Sequence, residues 1–193
     1  MFTKILDDYI AVEDSIKAEI NELTEEICFE KGELILKQGE TSRHLYYMEQ
    51  GLIRAYSWKN EKEITTWFSN EGSLVTSAYS FISEKPAFES IVAVENCKMH
   101  ALTRKQLYAL YDKYPSLNEM GRKLIEIYFL ELEERINAIH FQTARQRYDT
   151  FIKNESYLLQ KVTLGNIASY LGMTQETLSR IRNLPSKPHR FPV

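Results

Sequence analysis

Six residues near the C-terminus carry side chains suited to reading nucleic acid: Thr174, Gln175, Glu176, Ser179, Arg180 and Arg182. Arginine donates two hydrogen bonds to guanine O6 and N7, glutamine pairs with adenine N6 and N7, and glutamate accepts from cytosine N4. On that chemistry Gln175, Glu176 and Arg180 are the base readers. The Thr174 and Ser179 hydroxyls suit phosphate oxygens, as does Arg182, and the start of a helix itself favours an anion. Catalytic chemistry is not comparably provided. The histidines at 44, 100, 140 and 189 are scattered, and no Ser/His/Asp set, Cys/His pair or glycine-rich phosphate loop occurs. Cys28 and Cys97 form neither a CxxC pair nor a Cys/His cluster with zinc spacing. No metal, cofactor or enzymatic activity is expected.

The elements that must hold the six residues can be read around them in VTLGNIASYLGMTQETLSRIRN, residues 162–183. Thr163 suits an N-cap, and Leu164, Ile167, Ala168 and Leu171 make one buried face. Gly172 supplies a turn, and Thr174 caps a second helix whose Leu178 and Ile181 point inward at i and i+3. Ala168 is small where two steeply crossing helices touch. This is a helix-turn-helix pattern. Charge agrees with it. Residues 1–142 carry 16 Lys/Arg against 24 Asp/Glu, net −8, whereas residues 143–193 carry 8 against 3, net +5. A basic module on an acidic body suits a polyanion partner.

Upstream, Ile5, Tyr9, Val12, Ile16 and Ile20 recur at helical spacing within residues 3–26. From Cys28 to Leu102 the period changes. Gly32, Gly39, Gly51 and Gly72 punctuate short β-prone runs such as ELILKQ, HLYYMEQ, LIRAYSW and EITTWFS, the composition of a β-sandwich or barrel. In LIRAYSW, Ile53, Ala55 and Ser57 alternate with Leu52, Arg54, Tyr56 and Trp58. A helix is expected over Thr103–Tyr114, then a long one from about Ser116 to Phe141. The long helix bears two apolar stripes. Leu117, Met120, Leu124, Ile127 and Tyr128 are expected to face a second copy of the chain; Ile125, Phe129, Leu132, Ile136 and Ile139 form the other stripe. Shorter helices are expected over 143–153, 163–171 and 174–183, then an irregular proline-rich tail. No apolar run approaches the ~20 residues that cross a bilayer, and the acidic N-terminus does not read as a signal peptide, so a cytoplasmic location is expected.

The order of β-roll, long helix and helix-turn-helix resembles the Crp/Fnr family of bacterial transcription regulators. FEKGELILKQGETSRHLYYMEQGLIRAYS, the segment from Gly72, and IASYLGMTQETLSRIR carry the likeness over nearly the whole chain. The resemblance implies an α+β architecture. Residues 1–115 would hold an N-terminal helix and a cyclic-nucleotide-binding-like jelly roll (double-stranded β-helix) acting as sensor, 116–142 a dimerisation helix, and 143–193 the DNA-binding domain. It further implies a homodimer bound to double-stranded DNA, with RNA polymerase as a further partner.

Three departures bear on function. Where cyclic-AMP-binding members carry a ribose-binding glutamate this chain has Ser77, and where they carry Arg-Ser it has Glu89-Ser90. At an effective dielectric near 20, like charges ~4 Å apart repel by about 4 kcal/mol, so cyclic AMP is not the expected effector. Ser77, Tyr79, Phe81, Phe88, Glu89 and Ser90 mark a candidate pocket for some other small molecule, or plain core. Two cysteines 69 residues apart cannot hold the iron–sulfur cluster of oxygen-sensing relatives, and His44 and His100 lack the context of a haem site. Residues 157–161 leave little room for a hairpin, so the wing should be reduced or absent, with phosphate contacts from Arg145, Arg147, Lys161 and Lys187 carrying more of the affinity. The alternative is a small-molecule sensor whose C-terminal helices make protein contacts only.

Overall fold

The computed structural model describes Thr3 and residues 12–183. Ile5, Tyr9, Lys187, His189 and the proline-rich tail lie outside the described residues. The chain divides into two compact units, Met1–Leu132 and Glu133–Val193, and the division falls inside one long helix.

The first unit opens with α1 (Asp14–Leu23) and continues through eight strands: β1 (Glu25–Phe29), β2 (Leu34–Leu36), β3 (His44–Gln50), β4 (Leu52–Lys59), β5 (Lys62–Asn70), β6 (Leu74–Val75), β7 (Ser90–Ala93) and β8 (Cys97–Thr103). A short helix α2 (Ala78–Ser83) interrupts them before β7, and α3 (Arg104–Lys113) follows β8. The strands form two four-stranded antiparallel sheets, ordered β1-β8-β3-β6 and β2-β7-β4-β5. Non-consecutive neighbours in both sheets make this a roll rather than a meander. Period-2 burial builds its interior: Cys97, Met99 and Ala101 of β8 alternate with Lys98 and His100, and pack with Met48, Ile53, Ala55, Val75 and Ile91. Gly51 turns β3 into β4 at φ 116° with Asn96 O and Cys97 against it, a space in which a Cβ would lie 2.8 Å from that carbonyl.

β4 departs from the expected alternation, because Leu52 through Tyr56 are all buried. Arg54 is only 7% exposed; it pairs with Glu63, donates to Thr65 Oγ1 at 3.3 Å and lies 4.5 Å from the Tyr56 ring centre. A buried cation needs such partners, and Glu63 and Thr65 of β5 supply them.

A second core cluster lies between helices and roll. Val12, Ile16 and Ile20 meet Tyr47, Phe81, Leu102, Leu107, Leu110, Leu117 and Met120. Thr103 opens α3 with a reciprocal capping box to Gln106. The long helix α4 runs Pro115–Phe141, with proline as its first residue, where its missing N–H costs nothing.

This packing corrects the assignment of the α4 stripes. Leu117 is 1% and Met120 4% exposed, and both sit in their own unit's core with Leu124 packed against it, so they are not an interface to another chain. Ile127 and Tyr128 of the same stripe are exposed. The other stripe is the open one: Ile125, Phe129, Leu132, Ile136 and Ile139 are each more than a third exposed.

The second unit holds the end of α4 and then α5 (Ala144–Glu155), α6 (Leu158–Lys161), α7 (Leu164–Tyr170) and α8 (Gln175–Arg182). Phe151, Leu158, Ile167, Ala168, Leu171, Leu178 and Ile181 are its buried apolar residues. Among the described residues it contains no strand; the single turn α6, not expected from sequence, occupies the place of a hairpin. No helix among the described residues is long and apolar enough to cross a membrane.

Candidate nucleic-acid interface

The helix pair is built from local signals. Thr163 Oγ1 accepts from Asn166 N at 3.2 Å and starts α7; Thr174 Oγ1 accepts from Thr177 N at 3.2 Å and starts α8. Between them Gly172 takes φ 64°, and Gly172 N and Met173 N donate to Ser169 O and Ala168 O at 3.0 and 2.9 Å. Ala168, 1% exposed, permits the close crossing, and Leu178 and Ile181 anchor α8 inward.

What remains outward is a polar face. Gln175, Glu176, Ser179 and Arg180 are exposed and line one open concavity of about 540 Å³, together with Asn183. Positions 175, 176, 179, 180 and 183 fall on one arc of a helix with 3.6 residues per turn. Asn183, the C-cap of α8, is not among the residues expected from sequence, although extending the same 3.6-residue arc one step beyond Arg180 reaches it. Thr174 is exposed with its hydroxyl engaged in the cap, and Arg182 is exposed outside the concavity. Glu176 in the first turn and Arg180 and Arg182 in the last complement the helix dipole.

Two of the arginines expected on phosphates are otherwise employed. Arg147 donates from Nε to Leu171 O at 2.8 Å, from Nη1 to Gln142 O at 2.5 Å and from Nη2 to Gly172 O at 3.3 Å. Arg145 pairs with Asp149 at 2.9 and 3.0 Å and donates to Ile181 O at 3.3 Å. These carbonyls belong to helix ends and the turn, where no intrahelical donor is available, and a guanidinium satisfies several at once. Lys161 is exposed.

The candidate sensor residues do not converge on one cavity. Phe81 is buried in the helix–roll cluster, whereas Tyr79 and Phe88 are exposed and stack on each other with ring centres 4.2 Å apart. The reason is the helical turn of α2, which sends Tyr79 and Phe81 to different sides. Ser77 is buried at the start of α2, and Ser90 Oγ accepts from Gln38 N at 2.9 Å. Glu89 Oε2 accepts from Thr66 Oγ1 at 2.9 Å and Trp67 Nε1 at 3.0 Å. A register shift opposite Ala55/Tyr56 places the unpaired Thr66 beside Trp67, so both donors reach the one carboxylate. A separate cleft of about 160 Å³ is lined in part by Glu40, Ser42, Arg43, His44, Tyr46 and Thr76.

One group among the described residues has metal-ligand types close together. Glu26, Glu49 and His100 bring their ligand atoms within 4.8 Å of one another on neighbouring strands. Lys98 already lies 3.0 Å from Glu26 and 3.6 Å from Glu49, and His100 Nε2 is 2.6 Å from Glu49. The hydrogen bond with His100, helped by Lys98, holds the Glu49 carboxyl below the usual range, and Glu26 raises Lys98. The Lys98 ammonium lies within 4 Å of both carboxylates, standing where a metal cation would.

Comparison with known proteins agrees with the fold. Residues 26–114 match the cyclic nucleotide-binding domain. The fumarate and nitrate reduction regulatory protein of Yersinia pestis is 28% identical over 166 residues, covering 79% of this chain and 65% of that protein. Its Escherichia coli (strain K12) counterpart is 26% identical over 164 residues with the same coverage. The chain thus spans about 65% of the length of the curated relatives it matches. Among solved structures, FixK2 from Bradyrhizobium japonicum superposes with a TM-score of 0.69 at 21% identity, covering 82% of each chain. A regulator of the crp/fnr family from Eubacterium rectale gives 0.69 at 17% identity, covering 92% of this chain and 84% of that one.

Proposed function

We propose that this chain is a homodimeric, sequence-specific DNA-binding transcription regulator of the Crp/Fnr type with no catalytic activity, a reading supported by the cyclic nucleotide-binding domain match over residues 26–114 and by the likeness to the fumarate and nitrate reduction regulatory proteins. The observation that carries the reading is the arc of Gln175, Glu176, Ser179, Arg180 and Asn183, exposed on a helix whose Leu178 and Ile181 are buried. In this reading the roll is the sensor part, α4 the dimerisation helix and α5–α8 the DNA-binding part. Two copies meet through Ile125, Phe129, Leu132, Ile136 and Ile139, an apolar stripe too continuous to leave in water. Their α8 helices then enter successive major grooves ~34 Å apart and read a pseudo-palindrome.

Cyclic AMP is not the effector in this reading. The carboxylate of Glu89, held by Thr66 and Trp67, puts negative charge where the resemblance places a phosphate-binding arginine. The test is selection of bound fragments from random DNA by the full chain, followed by titration of Arg180→Ala on the selected site. Loss of about 1–3 kcal/mol of specific affinity, with relaxed preference at one base, is expected. Equal binding by mutant and wild type would remove Arg180 from the readout. Failure to bind any DNA at low salt would favour the protein-contact alternative, because phosphate-driven binding is strongest there.

A further inference from the structure

The reading arc of α8 is useful only if α8 is held at a fixed attitude, and the second unit shows what holds it. Arg135 lies in the part of α4 that belongs to this unit. Its Nη2 donates to Tyr170 O, the last carbonyl of α7, at 3.2 Å. Its guanidinium also lies over the Tyr170 ring, 4.5 Å from the centroid. The Tyr170 hydroxyl in turn donates to Glu155 Oε1, at the end of α5, at 3.1 Å. One aromatic side chain is therefore gripped on its face by α4 and at its tip by α5. Burial, with the Glu155 charge added, pushes the Tyr170 hydroxyl up to about 12, so it stays a donor throughout the physiological range. Arg147 ties the residue after α4, Gln142, to Leu171 and Gly172 in the turn that leads into α8. The stack and the hydrogen bond together fix both distance and rotation, which a planar guanidinium does and a point-charge ammonium does not.

We infer that Arg135 is a positioning residue that locks the helix-turn-helix to the end of α4 and thereby sets the half-site spacing the dimer accepts. The inference rests on the DNA-binding dimer proposed above. If two copies meet along α4, the separation and rotation of their α8 helices follow from how each helix-turn-helix is fixed to its own α4. Inserting one base pair moves a half-site by ~3.4 Å and turns it by ~34°. A rigid joint cannot follow that step; a loosened one can.

The experiment is a series of the selected operator with its half-sites moved by one or two base pairs, titrated with the full chain, Arg135→Ala and Arg135→Lys at several salt concentrations. Wild type should lose affinity by about tenfold or more per base pair of mis-spacing, comparable to a mismatched base pair, and Arg135→Ala by less than about threefold. Arg135→Lys, keeping charge without the planar stack, should fall between them. The slope of log affinity against log salt should be the same for all three proteins, because Arg135 touches no phosphate. A profile for either variant as sharp as that of wild type overturns the inference. So does a slope reduced by about 0.9, the signature of a lost phosphate contact. If Arg135→Ala does not fold at the assay temperature, judged by circular dichroism, the lysine variant alone decides. Wild type binding single half-sites as well as spaced pairs, or no DNA, would instead refute the dimeric DNA-binding reading.

Discussion

Replacing Arg147 by alanine separates two roles for the same cation. From composition it belongs on phosphate; in the structure it donates three hydrogen bonds of 3.3 Å or less to the carbonyls of Gln142, Leu171 and Gly172. A hydrogen bond from a charged donor is worth ~1.5–3 kcal/mol when dry. Arg147 is only half-buried and water can re-solvate its acceptors, so about 1 kcal/mol for each of the better bonds, ~2 kcal/mol in all, is the reasonable loss. If the helical unit melts on its own, ~2 kcal/mol lowers its midpoint by about 8–16 °C. Thermal unfolding followed by far-ultraviolet circular dichroism measures this directly. Specific DNA binding should weaken as the turn before α8 loosens, while the salt dependence of binding keeps its slope. An unchanged melting midpoint together with a slope smaller by about 0.9 would show that Arg147 contacts phosphate, and the reasoning would be wrong.

On α4, Phe129→Asp should turn the proposed dimer into a folded monomer, since Phe129 is 58% exposed on the open stripe. Leu117→Ala, at the buried start of the other stripe, should cost ~2–5 kcal/mol of stability and leave association unchanged; sedimentation and denaturant titration distinguish the two. Burial raises the Glu155 carboxyl above its ordinary value, more than the Tyr170 hydrogen bond and the Arg135 charge lower it. The folded state then binds that proton more tightly than the unfolded chain does, so its contribution to stability falls as pH rises from about 4.3 through the raised value. Glu155→Gln keeps an acceptor for Tyr170 and should flatten this part of the stability–pH curve; a curve parallel to that of wild type would contradict the assignment. Gly51→Ala must place a Cβ 2.8 Å from Asn96 O at φ 116°, and should cost at least ~3 kcal/mol in urea unfolding.

The parts legible in the sequence are those governed by local rules. Thr103, Thr143, Thr163 and Thr174 cap helices because a hydroxyl three residues ahead of a free N–H suffices. Pro115 and Phe141 bound α4, and Gly172 turns α7 into α8, for reasons confined to a few residues. The outward polar arc of α8 followed from Leu178 and Ile181, since fixing the inward positions of a helix fixes its outward ones. Tertiary structure alone decided whatever depends on a distant partner. Periodicity shows that α4 has two apolar faces but not which one Ile16, Leu107 and Leu110 cover. A glutamate at position 89 has a charge in sequence, but only the β5 bulge brings it Thr66 and Trp67. Charge counting marks Arg145 and Arg147 as basic surface. Besides the nearby Asp149 and Gln142, their partners are carbonyls 24 to 36 residues away, which become available only when helix ends meet in space. A side chain's type sets what it can bind; which groups are left unsatisfied within its reach is a property of the folded chain.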